Sequence, residues 1–210
     1  VFSYLRRGSA ASRMQAADLP LDLIRRARYF HTSGISQAIS ASACEAVGAA
    51  IAAAKQAGAR FVYDANMRLR LWPLARAREV ITATLAQADY FLLSMEDAEA
   101  LCGLQDADAI LDWCHRAGAK VIALKLGAEG VIGSDATGRI SIAGYKVDCV
   151  DATGAGDCFA GALLARMSAG DDFWQALRYA NAAAALATTG YGAVAPLPGP
   201  EAVRQLLNRY

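Results

Sequence analysis

Residues 60–93 read Arg60-Phe61-Val62-Tyr63-Asp64, then Ala65-Asn66-Met67-Arg68-Leu69-Arg70-Leu71-Trp72-Pro73, then an Ala-, Leu-, Glu- and Arg-rich run over 74–88, then Tyr90-Phe91-Leu92-Leu93. The outer pieces are short, continuous apolar runs of the kind used by strands buried on both faces. The run between them has the composition of a helix. The same alternation continues outward in both directions. Strand-type runs fall at 27–31 and 121–126, and helix-type runs at 41–57, 95–101 and 107–117. Strands alternating with helices in this way specify an α/β fold, a mostly parallel sheet with helices on both faces.

Beyond residue 126 the pattern changes. A run at 130–134, a turn through Asp135-Ala136-Thr137-Gly138 and a run at 139–143 with alternating Ile140 and Ile142 predict an antiparallel edge. The chain then passes through 145–150 into a glycine-rich turn and two Ala-rich helices, the second with Phe173, Leu177, Ala180 and Ala184 on one face. With no internal repeat and no low-complexity linker, one domain over 1–210 is the simplest count, with 1–11 as an excursion from it.

Composition narrows the function classes. The chain has 210 residues, 55% of them hydrophobic, enough for a sizeable core. Lys and Arg number 21 against 20 Asp and Glu, so the basic surplus that favours nucleic acid or an anionic membrane is lacking. The apolar stretch over 46–54 lies between Glu45 and Lys55 and is too short to span a bilayer. A small-molecule partner is expected. Five cysteines, Cys44, Cys102, Cys114, Cys149 and Cys158, form no C-x-x-C pair, and His31 and His115 alone could join them as nitrogen ligands. Free thiols in a reducing cytoplasm fit this usage.

The chemistry concentrates at Asp151-Ala152-Thr153-Gly154-Ala155-Gly156-Asp157, which leads into a helix bearing Phe159, Leu163 and Leu164. The first N–H groups of a helix lack internal partners, the dipole makes that end positive, and glycine lets a phosphate approach the backbone. Such a turn can cradle the charge that builds on a transferring phosphoryl group. A Walker loop would require Lys-Ser or Lys-Thr after the last glycine, where Asp157 and Cys158 stand. A dinucleotide fingerprint would require a glycine where Phe159 stands, and an acid beside a pyrophosphate would repel it. On the residues alone, a plain helix start with an acidic first turn is an equal alternative.

The run from Val150 through Gly161, V-D-A-T-G-A-G-D-C-F-A-G, resembles the C-terminal signature D-T-x-G-A-G-D-x-F-x-G of the ribokinase-like (pfkB) carbohydrate kinases. The resemblance extends over essentially the whole chain. It implies ATP and Mg2+ as cofactor and co-substrate. It makes Asp157 the base that takes the acceptor hydroxyl proton, and the amides of Gly154, Ala155 and Gly156 the cradle of the transferring group. A carboxylate is a weak base, but a loose phosphoryl-transfer transition state needs the proton removed only late. The resemblance also implies that Lys125, Gly127, Glu129 and Gly130 line the nucleotide, that Asn181 lies on the helix flanking the adenine, and that Asp151 and Thr153 stand near a monovalent cation such as K+. The family's N-x-x-E motif, which serves magnesium and its waters, is replaced by Ser94-Met95-Glu96-Asp97. Ser94 and Asp97 equally have the spacing of a helix capping box.

Within the family, Asp64-Ala65-Asn66-Met67-Arg68-Leu69-Arg70-Leu71-Trp72 resembles the D-x-N-x-R-x-x-L-W stretch of 2-keto-3-deoxygluconate kinases. Tyr4-Leu5-Arg6 and Gly8-Ser9-Ala10 resemble their Y-x-R and G-S-A segments. This favours a sugar acid, whose carboxylate a planar guanidinium grips through two parallel hydrogen bonds. Arg6 and Arg68, with Tyr4, become the substrate candidates. Kinases of neutral ribose-, fructose- or tagatose-type sugars are the alternative, as is a catalytically silent sugar-binding remnant. The resemblance implies an N-terminal part and most of a β lid not present in these residues, with 1–11 as the lid remnant. It also implies an edge at Val1 to Leu5 through which two copies could pair.

Overall fold

Phe61, Val62 and Tyr63 are fully buried, and around them the first part of the protein is assembled. The computed structural model describes residues 8–210. The strand expected at Val1 to Leu5, with Tyr4 and Arg6, lies outside the described residues, as does most of the expected lid remnant. The chain divides into two compact units, Val1–Ile122 and Ala123–Tyr210.

In the first unit the strands β1 (Tyr29–Ser33), β2 (Arg60–Asp64) and β3 (Tyr90–Ser94) run parallel in the order β1-β2-β3. Tyr29 pairs with Arg60 at one end of β1–β2 and Ser33 with Asp64 at the other, while Val62 to Asp64 pair with Tyr90 to Leu92. The helices are α1 (Leu21–Arg25), α2 (Gly34–Ala38), α3 (Ala41–Gln56), α4 (Leu74–Leu85), α5 (Met95–Cys102) and α6 (Ala107–Arg116), preceded by 3-10 turns at Ala11–Arg13 and Ala16–Asp18. Three of the helices start on side-chain caps. Ser40 accepts from the Ala43 N–H, Ser94 from that of Asp97 and Asp106 from that of Ala109. Tyr63 stacks on Phe91 with centroids 5.9 Å apart. Its hydroxyl donates to Gln37, whose amide donates to Thr84, whose hydroxyl donates to the Val80 carbonyl. A polar chain through the core is thus satisfied at each link.

The strands and long helices fall where the sequence pattern puts them, with differences at the ends. β1 starts at Tyr29 rather than Ala27 because the Arg26 and Ala27 N–H groups close the turn after α1 on Leu23 and Ile24. α4 ends at Leu85 rather than Ala88 because Gln87 and Ala88 donate three residues back, tightening the last turn.

In the second unit the order is β4-β5-β6. β4 (Val121–Lys125) begins in the first unit and continues into the second, and a 3-10 turn at Gly127–Glu129 leads to β5 (Gly130–Asp135), which pairs antiparallel with β6 (Gly138–Ala143). The expected meander is present, its turn closed by the Asp135 carboxylate accepting from the Thr137 N–H and hydroxyl. Gly130 has φ of 110°, and a Cβ there would overlap the Ile142 carbonyl, so the entry to β5 admits only glycine. The helices α7 (Ala155–Ala169), α8 (Phe173–Ala187) and α9 (Pro200–Leu207) complete the unit. α8 presents Leu177 and Ala180 to the core as the spacing predicts, while Phe173 and Ala184 are half-buried at its margin. Tyr145, Ala182, Ala183, Val203 and Leu206 form a second small core between α8 and α9. Among the described residues no helix is long and apolar enough to cross a membrane.

Candidate active site

The chain enters α7 through Gly154, which adopts the left-handed conformation at φ 80° and ψ 0°. A Cβ at this position would come within 2.7 Å of the Ala193 Cβ, so both the backbone angle and the space demand glycine. The Gly154 carbonyl accepts from the Cys158 N–H at 2.8 Å and the Ala155 N–H donates to the Ala152 carbonyl at 3.2 Å. Gly156 and Asp157 follow in the first turn, where a helix supplies no preceding carbonyl for its N–H groups. No side chain caps this helix, in contrast to α3, α5, α6 and α8. The result is a positive helix end without a side-chain cap, with the exposed carboxylate of Asp157 in its first turn.

Lys125, the last residue of β4, reaches the same turn. Its Nζ lies 3.6 Å from where a Gly156 Cβ would stand. The ammonium is also 6.0 Å from the centroid of the Phe159 ring. The loop after Lys125 leaves Gly127, Ala128 and Glu129 exposed. It is locked by Leu126 donating to the Gly130 carbonyl and by Gly144 donating to that of Glu129 at 2.9 Å. Asn181 is buried, and its amide donates to the Ala143 carbonyl at 3.0 Å, tying α8 to the end of β6. In the structure Asn181 thus holds the scaffold of this loop.

Asp151 clamps the other side of the turn. One carboxylate oxygen accepts from the Thr153 N–H at 2.9 Å and hydroxyl at 2.7 Å, and the other accepts from the Gly192 N–H at 2.9 Å. The Thr153 hydroxyl, then the Gly192 and Thr153 N–H groups, hold the Asp151 carboxyl below the usual carboxylate range. The segment Gly190 to Ala193 was not singled out in the sequence. Its signal is the pair Gly190 and Gly192 directly after an Ala-rich helix. Gly192 is left-handed at φ 85°, and its neighbour Ala193 packs on Gly154.

In the first unit, the stretch carrying Arg68 is fixed from two sides. The buried Asp64 accepts from the Asn66 N–H at 3.1 Å, and Asn66 itself is left-handed at φ 31°. Asp97 accepts from the Met67 N–H at 3.1 Å. Ser94 and Asp97 thus realise half of the capping box, with the Asp97 carboxylate directed to the neighbouring loop. Arg68 is exposed, with one terminal N–H on the Met67 carbonyl at 2.9 Å. Asp97→Ala is expected to cost roughly 1.5–3 kcal/mol, the scale of a hydrogen bond to a charged acceptor. Hydrogen exchange at the Met67 amide should accelerate in that variant, while Asp97→Asn, which keeps an acceptor, should restore most of the protection.

The residues present suit a nucleotide phosphate. Gly154 and Gly156 keep the turn free of Cβ atoms, the helix end is uncapped, and a lysine stands over it. Magnesium bound through phosphates and waters requires few protein ligands. Among the described residues no group of three or more His, Cys, Asp or Glu is arranged around a metal.

Comparison with known proteins gives these arrangements a context. The chain is 36% identical over 217 residues to Fructokinase-2 of Zea mays, covering 98% of this chain and 64% of that protein. It is also 36% identical over 206 residues to 2-dehydro-3-deoxygluconokinase of Thermoproteus tenax, covering 97% of this chain and 62% of that one. The chain therefore spans less than two thirds of the length of these curated relatives. A ribokinase II-type protein of E. coli, solved in complex with ATP and Mg2+, superposes with a TM-score of 0.91 at 26% identity, over 100% of this chain and 68% of its own. The fold is therefore ribokinase-like, a mixed sheet with helices. The family model for pfkB family carbohydrate kinases matches residues 1–200. This chain belongs to the pfkB family of carbohydrate kinases.

Proposed function

We propose that the chain acts as an ATP-dependent kinase of a sugar or sugar-acid hydroxyl, with 2-keto-3-deoxygluconate as the preferred acceptor. The observation that carries the kinase reading is the uncapped start of α7, with Gly156 exposed in its first turn and the exposed Asp157 carboxylate next to it. During transfer the acceptor oxygen bonds to phosphorus as the bond from phosphorus to the bridging oxygen of ADP breaks, and the hydroxyl proton passes to Asp157. The amides stabilise charge on the transferring group without reorganisation. Magnesium bound with the phosphates supplies further charge neutralisation. Thr153 donates its hydroxyl proton to Asp151, which leaves oxygen lone pairs on both residues for a monovalent cation such as K+.

Arg68 supports the sugar-acid choice, since its loop is held by two carboxylates and its guanidinium is exposed. A neutral ketose is the second reading, favoured by the identity to a fructokinase. Five free thiols fit a reducing cytoplasm. The test is coupled ADP release with ATP, Mg2+ and a panel of sugar acids and neutral sugars. Turnover that is highest on the keto acid is expected. Turnover on no sugar at all would remove the kinase reading, and a higher kcat/KM on fructose would replace the substrate.

A further inference from the structure

Residues 123–210 carry seven Lys and Arg against eight Asp and Glu, so the second unit as a whole has no basic surplus. Three of those seven nevertheless line one cavity. Where the end of α7 and the first turns of α8 meet the end of α9, Arg166, Asp171, Arg178, Tyr179, Arg204 and Leu207 border a volume of about 310 Å3. Arg166 is fixed and neutralised. Its Nε and Nη2 donate to the two Asp171 carboxylate oxygens at 2.7 and 2.8 Å, and its guanidinium stands 5.2 Å from the Tyr179 ring centroid. Arg204 donates to Glu201 at 3.0 Å, but the two side chains are 60% and 70% exposed, so water screens the pair and it holds weakly. Arg178 makes no hydrogen bond or ion pair among the described residues. After Asp171 has cancelled one of the three charges, two guanidinium forks still face a cavity whose other walls, the Tyr179 ring and Leu207, are half-buried.

We propose that this cavity is a second ligand site, built for a small phosphate monoester. Such a group carries a charge of about −1.5 to −2 at pH 7, which matches the two guanidiniums that Asp171 leaves over. Its oxygens pair with Arg178 and with Arg204, whose exposed bond to Glu201 gives way, and each fork fits a phosphate through two parallel hydrogen bonds. A carboxylate carries one charge and satisfies one fork, leaving the other without a partner. The carbon skeleton of the ester lies against Tyr179 and Leu207. The volume is at the small end of ligand cavities, roughly 300–1,000 Å3, and so suits an ester of a few carbons. The site is separate from the start of α7. Arg166 stands near the far end of that helix, about 16 Å from Ala155 at a rise of 1.5 Å per residue, so an ester bound here does not touch the Gly154 to Asp157 turn.

The test is an NMR titration of this chain with glycerol 3-phosphate, inorganic phosphate and glycerol at constant ionic strength, following the Nε–H resonances of Arg166, Arg178 and Arg204. These report on the cavity alone, whatever binds at the start of α7. Glycerol 3-phosphate is expected to shift the Arg178 and Arg204 signals together along one saturating curve, inorganic phosphate to do so more weakly, and glycerol not at all. Arg178→Gln is expected to weaken the ester about tenfold or more, the scale of one charge-assisted hydrogen bond, and Arg178→Lys to recover part of the loss. Arg178 is exposed, so the melting temperature should stay the same in both variants. Shifts that do not saturate, or a curve unchanged in Arg178→Gln, would overturn the site. Inorganic phosphate binding as tightly as the ester would overturn the choice of an ester, because Tyr179 and Leu207 would then contribute nothing.

Discussion

Asp157→Asn is expected to lower phosphoryl transfer by a hundredfold or more in kcat while leaving the fold and nucleotide binding nearly unchanged. The size follows from the role. A positioned general base contributes about 10^2–10^4-fold, and asparagine keeps the shape of the side chain while losing its basicity. The selectivity follows from the structure. Asp157 is exposed in the first turn of α7 and caps nothing, so the substitution removes no packing and no side-chain cap. Its neighbours Gly154 and Gly156 do the shaping of the turn, one through its left-handed φ of 80° and the other through the space below Lys125. Melting temperature and affinity for a non-hydrolysable ATP analogue are therefore the controls. If Asp157→Asn kept more than about a tenth of wild-type kcat, where loss of a base costs at least about a hundredfold, the proton would have another acceptor.

The parts of this protein that were legible in its sequence are those where one physical signal dominates over several residues. β2 is found at Arg60–Asp64, as β3 and β4 are at their own apolar runs, because a parallel strand buried on both faces must be apolar on both. The start of α7 was legible because two glycines and an acid stand together at the start of a helix-type run, and the structure adds that Gly154 is left-handed and packed on Ala193. The short helices α1 and α2, five residues each, were not legible, since a single turn displays no periodicity. α9 escaped for a related reason. Its buried residues, Val203 and Leu206, are too few to draw a stripe before its packing on α8 is known. The site shows the same division. Asp97 reads locally as a helix cap partner, and only the fold brings its carboxylate to the Met67 N–H thirty residues away in sequence. Likewise Lys125 reads as the end of a strand, and the ammonium above Gly156 exists only once β4 and α7 are side by side within the second unit. Local propensity and periodicity carry no information about such pairs, because each partner alone satisfies an ordinary local rule.

The discrimination between an acid and a neutral sugar should reside in Arg68, and Arg68→Ala is expected to lose most of it. A charge-assisted, two-pronged bond to a carboxylate in a partly closed site contributes roughly 1.5–3 kcal/mol, or about ten- to a hundredfold in kcat/KM, and a hydroxyl in the same place contributes less. The loop around Arg68 is built to present it. Asp64 fixes the Asn66 amide, Asp97 fixes that of Met67, and the Leu71 N–H closes a turn on the Arg68 carbonyl at 2.8 Å. One guanidinium N–H is held by the Met67 carbonyl, which orients the fork of this exposed side chain. Orienting the group in advance lowers the entropy lost when a carboxylate binds. Lysine keeps the charge and loses the fork, so Arg68→Lys should retain part of the preference. The measurement is the ratio of kcat/KM for 2-keto-3-deoxygluconate to that for fructose in the wild type and both variants. A ratio unchanged in Arg68→Ala would take Arg68 out of the substrate site. A ratio that falls because fructose turnover rises, with keto-acid turnover constant, would show that Arg68 acts by excluding the neutral sugar, since an unpaired guanidinium beside a hydroxyl costs the wrong substrate its binding.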